Sequence, residues 1–157
     1  MIYFQQNQSL DEITIVATAM IMLIAGYDTT GSTLSYAGFE LAKNQEIQDK
    51  LRAEVDAAFD ECEEAGNEFP DYNTVQNLPY LDMVIHETLR RHPPLQVASR
   101  ACVKDYVVPG GNGLVIKEGT LIDIPICGLH QDEEHYPNPK VFNPEHFSKE
   151  GKAKRHP

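Results

Sequence analysis

Nothing between Ser9 and Asn44 gives the chain a reason to leave a helix. Ser9-Leu10-Asp11-Glu12 has the S-x-x-E form of a capping box, with Ser9 as N-cap and Glu12 reaching back to its backbone. Directly behind it runs the almost wholly apolar stretch Ile13 to Ile24. The first stop signals come at about Ala42 to Asn44, which predicts one helix over residues 9 to 42, well above the roughly 8 to 20 residues usual in globular proteins. Such length and apolarity suggest a helix crossing the middle of a larger body. The apolar part, residues 13 to 25, is interrupted by threonines and falls short of the roughly 20 residues a membrane span needs, so it reads as a core helix. Gln5, Gln6, Asn7 and Gln8 are polar and no basic region leads in, so no signal peptide is indicated.

Midway along this helix the pattern breaks at Ala25-Gly26-Tyr27-Asp28-Thr29-Thr30. Ala25, Asp28 and Thr29 are related by three- and four-residue steps and share a helix face, whereas Tyr27 points elsewhere. Gly26 weakens the helix, and a threonine hydroxyl bonded to the carbonyl four residues back bends or opens the turn. Room for a ligand and a water is one reading of that face. A helix simply reaching solvent is the other.

The remaining elements follow from caps and prolines. Asn44 is placed to cap a second helix, whose Ile47, Leu51, Val55 and Phe59 recur every four residues and which ends near Gly66. A loop through Pro70 and a short turn at Asn73 to Asn77 lead to a third helix that begins at Pro79 and is stopped by Pro93-Pro94. From Val97 the texture becomes β-prone. Tyr106 to Val108 and Leu114 to Ile116, around Pro109-Gly110-Gly111-Asn112-Gly113, read as a hairpin, and Thr120 to Ile126 as a further strand. After His130 the chain reads as loop, closing on Lys152-Ala153-Lys154-Arg155. The expected fold class is mainly α with a small β region, in one domain.

Composition narrows the function. At 157 residues and 41% hydrophobic content the chain is not disordered. Its formal charge of -11, from 13 basic and 24 acidic residues, disfavours nucleic acid, which demands clustered cations. Cys62, Cys102 and Cys127 are too scattered for a disulfide framework or a zinc site and fit a reducing compartment.

On the third helix, Glu87 and Arg90 stand three apart, within reach of a bidentate carboxylate–guanidinium pair. E-x-x-R alone is common and usually a solvated pair of little worth. His86-Glu87 does not open a metalloprotease HExxH, because position 90 is arginine.

Taken in order, these motifs resemble the cytochromes P-450, the haem-thiolate monooxygenases. AGYDTT is similar to that family's central-helix motif and Glu87-Thr88-Leu89-Arg90 to its E-x-x-R, while Pro144-Glu145-His146-Phe147 resembles its P-E-R-F box, preceded by His130-Gln131-Asp132 and Tyr136-Pro137-Asn138-Pro139. The resemblance spans essentially residues 1 to 157, as a single partial P-450 domain, and looks closest to animal microsomal, xenobiotic-metabolising members.

The resemblance implies a role for each matched residue. The helix of residues 9 to 42 would pass over the distal face of the haem, with Ala25 leaving space above the iron. Asp28 and Thr29 would hold the water chain that delivers protons to dioxygen, and Arg100 would bind a haem propionate. Leu95, Gln96, Val97 and Ala98 would line the pocket for a small apolar substrate. Glu87, Arg90 and His146 would form a structural triad, looser than with the arginine the family often has at the third position. Electrons would come from a NADPH-dependent reductase, at the cytoplasmic face of the endoplasmic reticulum membrane.

The family's haem-ligating cysteine lies in an F-x-x-G-x-x-x-C-x-G loop after the P-E-R-F box, and none of the three cysteines has that place. The expectation is an internal-to-late part of a monooxygenase, without amino-terminal anchor or iron ligand and inactive by itself. A member that isomerises oxygenated lipids without external electrons is disfavoured by the Asp28-Thr29 pair. A catalytically inactive remnant or partner-binding module is the alternative from a different class.

Overall fold

The structure is a computed structural model that describes residues 11–153. Its first element, α1 (Glu12–Lys43), is a single unbroken helix of 32 residues. The expected N-cap, Ser9, lies outside the described residues. Asp11 occupies the cap, its carboxylate accepting from the Thr14 backbone N–H at 3.0 Å, which lowers the Asp11 pKa. At the other end Asn44 takes the predicted N-cap position of the next helix, but not through its side chain. Its side chain donates back to the Glu40 carbonyl of α1 at 2.8 Å and makes no capping bond to α2 (Gln45–Glu64).

α3 (Tyr72–Gln76) is a short helix capped by Asp71 where a turn was expected, and α4 (Pro79–Arg91) begins on its proline and stops just before Pro93-Pro94. Glu54 of α2 reaches the open end of α4, accepting from the Tyr80 and Leu81 N–H groups at 2.8 and 2.9 Å. Two of the donors that a helix start leaves without intrahelical partners are satisfied in this way by a neighbouring helix. The buried core sits here. Tyr80, Val84 and Phe142 pack with Leu41, Ile47, Leu51 and Met83.

Four strands form two antiparallel pairs. β1 (Val97–Ala101) pairs with β4 (Leu121–Pro125), setting Arg100 opposite Ile122, and β2 (Tyr106–Val107) pairs with β3 (Val115–Ile116). The predicted last strand ends one residue early, and α5 (Ile126–His130) follows it at once. Beyond His130 the expected loop contains a 3₁₀ turn at Pro144–Phe147 and a short helix, α6 (Lys149–Ala153). Gly151 lets α6 lie against that turn, since a Cβ there would come within 2.5 Å of the Glu145 carbonyl oxygen.

The core-helix expectation for residues 13 to 25 is not met within this chain. Ile13, Met22, Leu23 and Tyr27 are all more than two-thirds exposed. α4 packs only against the carboxy-terminal half of α1, and nothing in residues 11–153 covers the first half. The expectation that its threonine-interrupted apolar part falls short of a membrane span is not met either. By length and composition α1 is the one helix among the described residues able to cross a membrane.

Candidate functional site

α4 explains why a carboxylate and a guanidinium survive in the core. Positions 84, 87, 88 and 90 face inward, all buried, so Glu87 and Arg90 enter the interior together. Arg90 donates from Nε to Glu87 Oε2 at 2.7 Å and from Nη2 to Oε1 at 2.8 Å, the planar fork matching the carboxylate. Its Nη1 donates to the His130 carbonyl at 2.8 Å. Glu87, at 0% exposure, also accepts from the Asn143 N–H at 2.8 Å.

His146, on the 3₁₀ turn, closes the group. Nδ1 stands 3.2 and 3.3 Å from the two Glu87 oxygens, and Nε2 stands 2.9 Å from the Pro137 carbonyl. Tyr136 lies over the Arg90 guanidinium at 5.1 Å and edge-on to His146. The structure thus brings Glu87, Arg90 and His146 into one buried cluster that ties α4, the end of α5 and residues 137–146 together. A buried charge needs this density of partners to be tolerated. Sequence reading did not place His130 and Tyr136 in this cluster, because Arg90 lies 40 and 46 residues upstream of them in α4.

The Ala25–Thr30 segment remains regular helix. Thr29 Oγ1 donates to the Ala25 carbonyl at 2.6 Å, the back-bond expected of it, without breaking α1. The hydroxyl oxygen keeps lone pairs for a water. Asp28 is exposed and has no side-chain hydrogen bond among the described residues. Thr29, Thr30, Thr33, Leu34 and Ala37 of α1 face Ile85, Leu89 and Pro94 across an open cleft of about 320 Å³. Thr29 and the α4 face behind Glu87 are therefore neighbours across one apolar gap.

The expected pocket residues lie on the loop before β1 and on both faces of its start. Leu95 and Gln96 are exposed ahead of β1. Val97 and Ala98 are successive strand residues and point to opposite faces. Arg100 shares the Ala98 face, is exposed, and donates from Nη1 to the Ser99 carbonyl at 2.8 Å. That leaves most of its guanidinium donors available to a carboxylate ligand.

A mainly helical chain with a buried carboxylate–guanidinium–imidazole cluster and a threonine–aspartate turn on a long apolar helix defines the class. The cytochrome P450 family model matches residues 2–157, and the chain belongs to the cytochrome P450 family. It is 43% identical over 139 residues to cytochrome P450 6A1 of Musca domestica, covering 87% of this chain and 26% of that protein. It is 41% identical over 148 residues to cytochrome P450 6a2 of Drosophila melanogaster, covering 94% and 28%. With cytochrome P450 3A16 of Mus musculus it shares 42% over 147 residues, covering 94% and 28%. The chain thus spans a little over a quarter of the length of these relatives.

The lining of the cleft suits one face of haem, the cofactor of this family. The cleft offers apolar walls and threonine hydroxyls to a flat apolar ring; Arg100, exposed on β1, is not among the residues that line it. No cysteine lines that cleft. Cys62 bonds the Asn67 carbonyl and Cys102 the Lys104 carbonyl, and Cys127 lies in α5.

Proposed function

We propose that this chain carries the dioxygen face and the structural lock of a haem-thiolate monooxygenase. The parent enzyme inserts one oxygen atom from dioxygen into small apolar substrates, xenobiotics among them, with electrons from a NADPH-dependent reductase. Its proposed setting is the cytoplasmic face of the endoplasmic reticulum membrane. The observation that carries this reading is the Asp28–Thr29 pair on an apolar helix, with Thr29 lining an apolar cleft, in a chain of this family.

Haem, when bound, supplies the centre at which dioxygen is reduced and the oxygen atom transferred. The chain's own residues do the rest. Ala25, small and on the same face as Asp28 and Thr29, leaves room for a diatomic ligand. The Thr29 hydroxyl, anchored through its own proton to the Ala25 carbonyl, accepts from a water and fixes its position. Asp28, open to solvent, relays protons to that water. Ile85, Leu89 and Pro94 supply the apolar wall opposite Thr29. Arg100 would bind a haem propionate, and Glu87, Arg90 and His146 hold α4 in place.

The test is made in the parent enzyme containing this chain. Thr29→Ala is expected to release several times more peroxide per dioxygen consumed, with haem content unchanged. Unchanged coupling overturns the role of Thr29, and a reduced carbon monoxide spectrum without thiolate character overturns the monooxygenase reading itself.

A further inference from the structure

The loop joining β2 to β3 plays no part in the site, and its geometry points to a site of covalent self-modification. Two tight turns follow each other there. Val108 to Gly111 closes through the Gly111 N–H and the Val108 carbonyl at 3.0 Å, with Gly110 at φ 74°. Gly111 to Leu114 closes through the Leu114 N–H and the Gly111 carbonyl at 2.9 Å, with Asn112 at φ 49° and Gly113 at φ 85°. Positive φ at both central residues makes the second a type I′ turn, the geometry that favours Asn-Gly.

In such a turn the N–H of the third residue points outward and takes no part in the closing bond. Gly113 N–H has no partner among the described residues, nor has the Asn112 carboxamide, and both residues are exposed. Gly113 carries no side chain to shield its nitrogen. We propose that Asn112 deamidates through attack by the Gly113 nitrogen.

A bond forms between the Gly113 nitrogen and Cγ of Asn112, the Cγ–Nδ2 bond breaks, and the Gly113 proton departs with the ammonia. Water then opens the five-membered imide. Opening at Cγ gives aspartate, and opening at the backbone carbonyl gives isoaspartate, with no oxidant or reductant needed. Either product adds a negative charge, and isoaspartate lengthens the main chain by one carbon. That extra atom cannot keep both the 2.9 Å closing bond and the Val108 N–H to Leu114 carbonyl bond at 3.0 Å, which seats the loop on the strands.

The chain carries its own controls. Asn138 and Asn143 precede prolines, which have no N–H to attack with. Asn44 and Asn77 donate their carboxamides to the carbonyls of Glu40 and Asn73.

The experiment ages the folded chain at mildly alkaline pH beside the excised tryptic peptide of residues 105–117. Mass spectrometry then reads replacement of NH by O, and enzymatic methylation reads isoaspartate. Because a loop tip opens at almost no cost, Asn112 in the folded chain is expected to convert within about threefold of the peptide's rate. The other asparagines should lag behind, and Asn112→Gly, which also suits a type I′ turn, should abolish the isoaspartate signal. A folded chain slower than the peptide by about a hundredfold would mean that the turn shields Asn112 and would overturn the proposal. Conversion at Asn44 or Asn77 as fast as at Asn112 would overturn it too.

Discussion

Nε2 of His92 lies 2.7 Å from Oε1 of Glu40, a residue only 2% exposed. The pair ties the last turn of α1 to the residue that ends α4, with Tyr36 stacked on the imidazole at 4.2 Å. His92 is the only side chain bonded to the Glu40 carboxylate among the described residues. His92→Ala strands a buried carboxylate and is expected to cost about 2–4 kcal/mol, near the lower end for a broken buried pair because the imidazole is partly exposed. His92→Gln, which restores a donor, should recover part of it. Urea midpoints of the three chains decide the matter, and equal midpoints for wild type and His92→Ala would remove the pair from the account.

The buried cluster on α4 makes a sharper claim. Glu87→Ala leaves Arg90 charged and enclosed, and about 3–5 kcal/mol should be lost. Arg90→Lys keeps the charge yet loses the fork that serves two carboxylate oxygens and the His130 carbonyl. Glu87→Leu with Arg90→Met removes both charges together. The double variant is expected to be less destabilised than the sum of its parts, as a double-mutant cycle in urea would show. Additive losses would mean that the two side chains act independently.

Gly151 is required by space. A Cβ there would lie 2.5 Å from the Glu145 carbonyl oxygen and 2.6 Å from that of His146, backbone atoms that cannot swing away. Gly151→Ala should therefore lift α6 from the Pro144–Phe147 turn at a cost of about 1–3 kcal/mol. Faster amide hydrogen exchange at Lys152, whose N–H bonds the Ser148 carbonyl at 2.8 Å, is the readout; unaltered exchange there would contradict it.

Legibility in the sequence divides along contact range. The long helix followed from the absence of any stop before Asn44, and α4 from Pro79 at its start and Pro93-Pro94 at its end. E-x-x-R placed Glu87 beside Arg90 because three residues on a helix are neighbours. What joins distant segments left no local trace. The β1–β4 register, the reach of Glu54 to Tyr80 and the pairing of His92 with Glu40 depend on how the helices dock. The details of two caps were hidden for a related reason. Ser9 and Asp11 both suit an N-cap, and Asn44 can bond forward to α2 or back to Glu40. Apolarity likewise says that the first half of α1 seeks cover and not where the cover comes from. The site residues most exposed to this limit were Leu95 to Ala98, since strand alternation sends Val97 and Ala98 to opposite faces.

His130 gives the chain a pH dependence of known sign. Burial holds its ring below the ordinary histidine value of 6.5, a bond to the Arg90 carbonyl partly opposes this, and the Arg90 charge adds to the depression. Between the folded value and 6.5 the unfolded chain binds more protons at this ring than the folded one. The stability it contributes is therefore complete above 6.5 and is lost as pH falls through the folded value. Urea midpoints should fall between about pH 7 and pH 5, and His130→Gln should flatten that slope by the share belonging to this ring. Proton NMR of the ring in the folded chain gives the direct check. Titration at the ordinary histidine value would remove the contribution and titration above it would reverse the sign, and either sinks the prediction.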